Sequence, residues 1–180
     1  MDVKHIQIVE TNESDDILMV EKLAFGSNEE AELVSNLLRD SSAKPVLSLL
    51  AVYNAEAVGH ILFTKAMLKE AKPPPSIYIL APLAVIPKYQ KQGIGGMLIR
   101  EGIKRLRTMG VEMVFVLGHK EYYPKHGFIP DAGGLGFAPP YPIPAKDADA
   151  WMVQALNSKG EMCGKVICAN ALDKPEYWRE

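Results

Sequence analysis

Apolar and polar residues alternate across residues 5–9 (HIQIV), the period of a half-buried strand. The polar cluster TNESDD follows and offers Thr11 and Ser14 as helix caps. From 17 to 25 the period turns helical and aligns Ile17, Val20, Leu23 and Ala24, until Gly26 breaks it. Ser27 and Glu30 have capping-box spacing ahead of a second helix over 28–39, with Ala31, Val34, Leu37 and Leu38 as its buried stripe. VLSLLAVY (46–53) and VGHILFTKAM (58–67), joined by a short turn at Asn54, read as an antiparallel hairpin. The stiff run Lys72-Pro73-Pro74-Pro75 leads to another long strand, SIYILAPLAVI (76–86). Pro82 within it has no N–H to give a ladder, so pairing there should be broken or bulged.

The strongest helical period runs over 94–109, with Leu98, Ile99, Ile103, Leu106 and Met109 in one stripe and Gly110 at the place of a left-handed cap. VEMVFVL (111–117) is a strand apolar on both faces, and a helical turn over 121–126 follows it. Residues 129–146, dense in Gly and Pro, read as an ordered loop; AWMVQAL and GKVICAN are two further short strands. The order β, α, α, an antiparallel meander, then β-α-β predicts a mixed α/β fold. Its central sheet is mostly antiparallel, flanked by helices on both faces, with one parallel crossover from PLAVI through the 94–109 helix to VEMVFVL. No repeat or low-complexity tract divides the 180 residues, so a single domain over 1–180 is expected.

Composition narrows the function classes. A net charge of −2 lacks the basic excess of a dedicated nucleic-acid binder. No apolar run is long enough to span a bilayer, and MDVKHIQIVE lacks the apolar stretch and cleavage site of a signal peptide. Cys163 and Cys168 are not spaced as CxxC and have no second Cys/His cluster, which argues against a zinc site, and no other metal is expected. The apolar surroundings of Cys168 (KVICAN) suggest a buried strand thiol, and a reducing, cytoplasmic compartment follows.

The segment that carries chemistry is PLAVIPKYQKQGIGG (82–96): a strand, a turn and a Gly-rich helix start. Gly93, Gly95 and Gly96 let backbone N–H groups approach a ligand closely, at a helix end where those groups are unpaired and the macrodipole is positive. Such an end seats a phosphate or pyrophosphate. A P-loop match is absent, and the GxGxxG begun by Gly93 and Gly95 fails at Leu98. Two readings stand on these residues: an anion cradle, or glycines required for tight packing.

Gln90-Lys91-Gln92-Gly93-Ile94-Gly95 resembles the Q/R-x-x-G-x-G/A signature of GCN5-related N-acetyltransferases (GNAT), and it follows a strand, LAVIP, as in that family. Tyr122-Tyr123-Pro124-Lys125-His126-Gly127-Phe128 resembles the family's FYxxxGF segment, with Tyr122 in the Phe position. The wording of VGHILF, PLAVIP and LGHKEYYPKHGF is similar to the YhbS-like branch. The resemblance covers about residues 6–128 and is tight from 83 to 128. It implies the GNAT-like acyl-CoA N-acyltransferase fold and an acetyltransferase using acetyl-CoA as cosubstrate, in which an amine attacks the thioester directly in a ternary complex. Leu83, Ala84 and Val85 would meet the acetyl-pantetheine through their backbone. Gln90, Lys91, Gln92, Gly93, Ile94, Gly95 and Gly96 would hold the pyrophosphate. Val85 N–H would meet the oxyanion, and Tyr123, whose phenol stays protonated at neutral pH, would protonate the leaving thiolate. The family's Asn near the pantetheine arm has no match in Leu117-Gly118-His119, so that contact falls to backbone or to His119.

Four residues are candidates for the general base: Glu29, Glu30, His60 and His119. Glu29 and Glu30 also suit a helix N-terminus, and His60 also suits a satisfied core histidine. Arg100, Lys104, Arg105 and Arg107 read as a solvated helix face, with a secondary place near the coenzyme's 3′-phosphate. The loop over 130–144, with Phe137 and Tyr141, is either a roof over the acceptor pocket, a structural loop or a subunit contact. The expected partner is a small-molecule or protein amine, with neither nucleic acid nor membrane, and the apolar C-terminal strands offer a surface for a homodimer. A catalytically weak CoA-binding sensor or assembly module is the alternative, and a nucleotide hydrolase is disfavoured by the missing P-loop lysine.

Overall fold

The computed structural model of the chain describes residues 2–157 and 160–179. The elements are β1 (Gln7–Glu10), α1 (Ser14–Phe25), α2 (Glu29–Arg39), β2 (Leu47–Tyr53), β3 (Glu56–Leu68), β4 (Ile77–Val85), α3 (Ile94–Thr108), β5 (Met113–Leu117), β6 (Phe137–Ala138), β7 (Trp151–Ala155) and β8 (Gly164–Ile167). The sheet runs β1-β2-β3-β4-β5-β7. Neighbours are antiparallel except β4 and β5, the pair that α3 connects. At the far end of β3, Met67 and Leu68 pair with β8, which in turn pairs β6 in parallel. This is the mixed, mostly antiparallel sheet with one parallel crossover that the order of elements predicts.

Cross-strand partners share a face of the sheet. His60 is opposite Leu50 and Ala84, and this face lies under α1, whose Glu21 reaches His60. Gly59 is opposite Val85 and Ile61 opposite Leu83; they look toward α3, where Leu98 and Ile94 close on Gly59. Helices therefore cover both faces.

Two irregularities in β4 shape the site. Ile61 pairs with Leu83 and Phe63 with Leu80, so Ala81 and Pro82 together oppose Leu62. That is the bulge expected where a proline interrupts a ladder. On its other edge, β4 pairs β5 only from Ile77 to Ile79. Leu80 to Val85 run on with no β5 partner, and the two strands splay apart.

Local signals worked where backbone conformation decides. Gly26 and Gly110 take left-handed φ values of 68° and 83° at the ends of α1 and α3. The predicted caps differ: Thr11 accepts from Glu13 N–H, Ser14 is already helical, and Ser27 links Glu30 by its side chain. The apolar stripes also need correction. Leu23 is 52% exposed and Met109 49%, whereas Glu21 is fully buried. At about 100° per residue, position 21 lies about 40° from Ile17 around the helix and position 23 about 120° from it. Met109 stands just past the last helical residue.

The Gly/Pro loop is held at the start of β7, and neither Phe137 nor Tyr141 lines the cavity described below. Trp151 Nε1–H donates to Phe137 O at 2.8 Å, and Phe137 packs edge-on against Phe115. Tyr141 donates to Asp173 O at 3.3 Å. Cys168 is buried just beyond β8, and burial pushes its thiol up to about 11.

Candidate active site

The site begins where splayed β4 hands over to α3. Residues Pro87–Tyr89 form a short 3-10 turn, and Lys91 (φ 62°) and Gly93 (φ 89°) then bend the chain into the helix. Gln90 Nε2–H donates to Val85 O at 2.9 Å, which braces the turn against the strand. Ile86 N–H donates to Val58 O on the β3 side at 3.0 Å. Strand amides alternate in direction, so Val85 N–H points to the open side, toward the splay.

A cavity of about 640 Å³ occupies this corner. Leu83 and Val85 of β4 form one wall; Tyr89, Gln90, Lys91 and Gly93 of the turn form another. Ile94, Gly95, Gly96 and Arg100 line it from α3, and His119, Tyr122, Tyr123 and His126 from the segment after β5. No carboxylate lies among these described residues. Ala84 and Gln92 do not line the cavity. Ala84 turns its side chain to the α1 face beside His60, and the Gln92 amide is held by Lys88 O at 3.5 Å.

The glycines serve close approach. A Cβ on Gly95 would run into the Tyr122 hydroxyl, and one on Gly96 would lie 2.8 Å from His126 Cε1 and 3.1 Å from Arg100 Nη1. Of the two readings of these glycines, tight packing is what their contacts show. The short turn Tyr123–His126 brings its rings directly against the start of α3.

Tyr123 is buried to 8% exposure, edge-on to Phe128 and Tyr122. A Cβ on Gly118 would lie 2.5 Å from its Cε2, so the missing side chain at 118 is what admits the ring. Burial, with Tyr122 adding to it, holds the Tyr123 phenol far above the ordinary tyrosine range, so it carries its proton at any neutral pH. Burial also raises Tyr122, partly offset by Arg100. His126 is shifted the other way: burial and then the charges of Arg100 and Lys125 lower its proton affinity.

The candidate bases fall in different places. His60 is fully buried, with Nε2 2.9 Å from Ser48 Oγ and Nδ1 2.6 Å from Glu21 Oε1, and does not line the cavity. Glu30 is tied to Ser27 at 3.1 Å, and Glu29 is exposed. His119 alone of the four is at the cavity. The basic helix face divides. Arg105 pairs with Glu10 (3.2 Å) and Glu101 (3.0 Å), whereas Arg100 turns to the cavity. Tyr89 and His126 were missed by sequence reasoning. His126 lies inside the YYPKHGF segment, but its motif position carries no chemical label.

This fold, with an amide-lined helix start facing a splayed strand and a buried tyrosine, belongs to one class of protein. The chain is a member of the acetyltransferase (GNAT) family, whose sequence profile matches residues 14–128, and it is an N-acetyltransferase by that membership. Among its relatives, the uncharacterised N-acetyltransferase YjhQ of Escherichia coli (strain K12) is 53% identical over 173 residues, 94% of this chain and 96% of its own. YhbS of the same strain is more distant in sequence, 31% identical over 107 residues, 58% of this chain and 61% of its own. The crystal structure of E. coli YhbS in complex with CoA matches the fold with a TM-score of 0.81 over 94% of this chain and 92% of that one, at 24% identity. A Brucella melitensis GNAT family acetyltransferase in complex with acetyl-CoA matches at 0.72 and 29% identity, over 94% and 99%.

Proposed function

We propose that the cavity binds acetyl-CoA and that the chain transfers its acetyl group to a primary amine by direct attack in a ternary complex. The observation that carries this reading is the convergence of three parts on one cavity: the amide end of α3, the unpaired stretch of β4 and the Tyr123 ring. The CoA and acetyl-CoA held by the YhbS and Brucella structures support it.

The residues suit the ligand. A diphosphate would meet the amides of Ile94 to Gly96 at the positive end of a helix, with Lys91 and Arg100 nearby and no carboxylate to oppose it. The pantetheine arm would run along Leu83, Ala84 and Val85, in the place a β5 partner would take. Acetyl-CoA supplies a thioester carbonyl open to attack and a thiolate to leave. Val85 N–H donates to the carbonyl oxygen as negative charge gathers there, without rearrangement because the strand holds it. Tyr123 gives its proton to the departing sulfur, and burial keeps that proton in place until then. His119, the candidate base at the cavity, takes the proton the amine must lose. The nitrogen–carbon bond forms as the carbon–sulfur bond breaks.

The test is thiol release from acetyl-CoA across a panel of small amines and lysine peptides. Turnover should appear with at least one acceptor, and Tyr123→Phe should reduce it by about 10²–10³-fold while coenzyme affinity holds. Coenzyme binding with no turnover on any amine would favour a sensor or assembly module.

A further inference from the structure

Beyond the charge of Arg100, the mechanism above leaves unused the side chains that line the cavity beside Gly95 and Gly96. Tyr122 and His126 come from the turn after β5, and Arg100 from the second turn of α3. The Tyr122 and His126 ring centres are 4.9 Å apart. All three reach the first turn of α3: the Tyr122 hydroxyl stands over Gly95, and His126 Cε1 and Arg100 Nη1 crowd the same side of Gly96.

Among the described residues, none of the three polar groups has a hydrogen-bond or ion-pair partner. Arg105, one turn further along the helix, has two carboxylates. A guanidinium beside an imidazole, at the positive end of a helix and without a counter-ion, disfavours a proton on the ring. An anion lying between the two removes that penalty and gives the guanidinium a partner.

We propose that Arg100, Tyr122 and His126 are the side-chain wall of the diphosphate seat, and that His126 takes up a proton from solvent as the diphosphate binds. The proposal rests on the coenzyme reading above. The groups that face the imidazole are Arg100 from α3 and Tyr122 and Lys125 from its own turn. Gln154 of β7, packed at Gly127 next to it, is uncharged. In the free protein partial burial, and then the two cations, lower its proton affinity and favour the neutral ring. A diphosphate carries about two negative charges at neutral pH, so its arrival reverses the sign of the local field and the neutral ring becomes an imidazolium donor. Tyr122 and Arg100 add a hydroxyl and a guanidinium donor to the backbone amides.

The test is titration calorimetry with dephospho-CoA, which has the diphosphate but not the 3′-phosphate whose own titration near neutrality would mask the effect. Binding at about pH 7 is measured in buffers of low and high ionisation enthalpy, on wild type and on His126→Gln. The expected result is net proton uptake in wild type and none in the variant. Wild-type affinity should rise by about three- to fivefold from about pH 8 to about pH 6, and the variant's should stay level. Binding without proton uptake, or uptake that survives in the variant, would overturn the proposal and leave the coenzyme reading standing. No binding of dephospho-CoA by folded wild type would overturn both. Should His126→Gln not fold, NMR on wild type gives the same answer. The His126 midpoint should rise by about one pH unit on saturation with dephospho-CoA, and an unmoved midpoint would overturn the proposal.

Discussion

His60 and His126 lie on opposite sides of the same sheet, and their surroundings differ in one respect above all. His60, under α1, has both ring nitrogens engaged, one by Ser48 and one by Glu21, and all three side chains are fully buried. His126, on the α3 side, lines an open cavity beside Arg100, and neither has a hydrogen-bond or ion-pair partner among the described residues. A Ser–His–Glu chain looks like catalytic machinery when read as residue types. Its full burial and its absence from the lining of the β4–α3 cavity make it part of the core instead, where polar groups depend on bonding each other. The open cluster has the opposite signature: donors and positive charge that face a cavity without a partner among the described residues.

The sharpest way to break this comparison is to delete the buried imidazole. His60→Ala strands Ser48 and the Glu21 carboxylate in the core and should cost about 3–5 kcal/mol in urea unfolding. Coenzyme affinity of the folded fraction should hold. A variant of near wild-type stability that has lost binding would reverse the roles assigned to the two faces. Gly118→Ala is the counterpart on the cavity side. Its methyl displaces the Tyr123 ring, and turnover should fall by about 10²-fold with affinity little changed.

A smaller effect comes from pH. Burial outweighs the His60 hydrogen bond and raises the Glu21 carboxyl, so the native state keeps this proton after the unfolded chain has lost its own. Stability should therefore fall as pH rises from the ordinary carboxylate value of about 4.3 through the raised native one, and Glu21→Gln should flatten that slope. Smallest of all, Leu23→Ser and Met109→Ser should change stability by no more than about 0.5 kcal/mol, since both side chains are about half exposed.

Much of this was legible in the chain. The 94–109 period gave α3, Pro82 marked the bulge, and Gly26 and Gly110 marked helix ends, because each depends on backbone geometry within a few residues. The glycine turn and Tyr123 were legible because their motifs carry chemistry at fixed spacing. Glu21 was hidden because a count of apolar positions passes over a charged residue on the core face. It is buried only because His60, 39 positions away, meets it there. The place of His126 at the cavity was hidden for a related reason, and Arg100 was read only as one of a basic helix face with a secondary place near the 3′-phosphate: the two meet because the turn after β5 folds back on α3, a contact between segments that no local pattern encodes. Val85 N–H came from the family resemblance alone, since the splay that frees it depends on where the pairing of β4 with β5 stops.

The central claim is that the corner between β4 and α3 seats acetyl-CoA. Calorimetric titration of acetyl-CoA into wild type and Gly95→Glu tests it most directly, since the glutamate puts both a side chain against Tyr122 and a negative charge where the diphosphate would lie. The account predicts saturable one-site binding by wild type, weakened by about 10²-fold or more in a variant that keeps its fold. A folded wild type that takes up no acetyl-CoA, or a Gly95→Glu variant that binds as tightly, would contradict it.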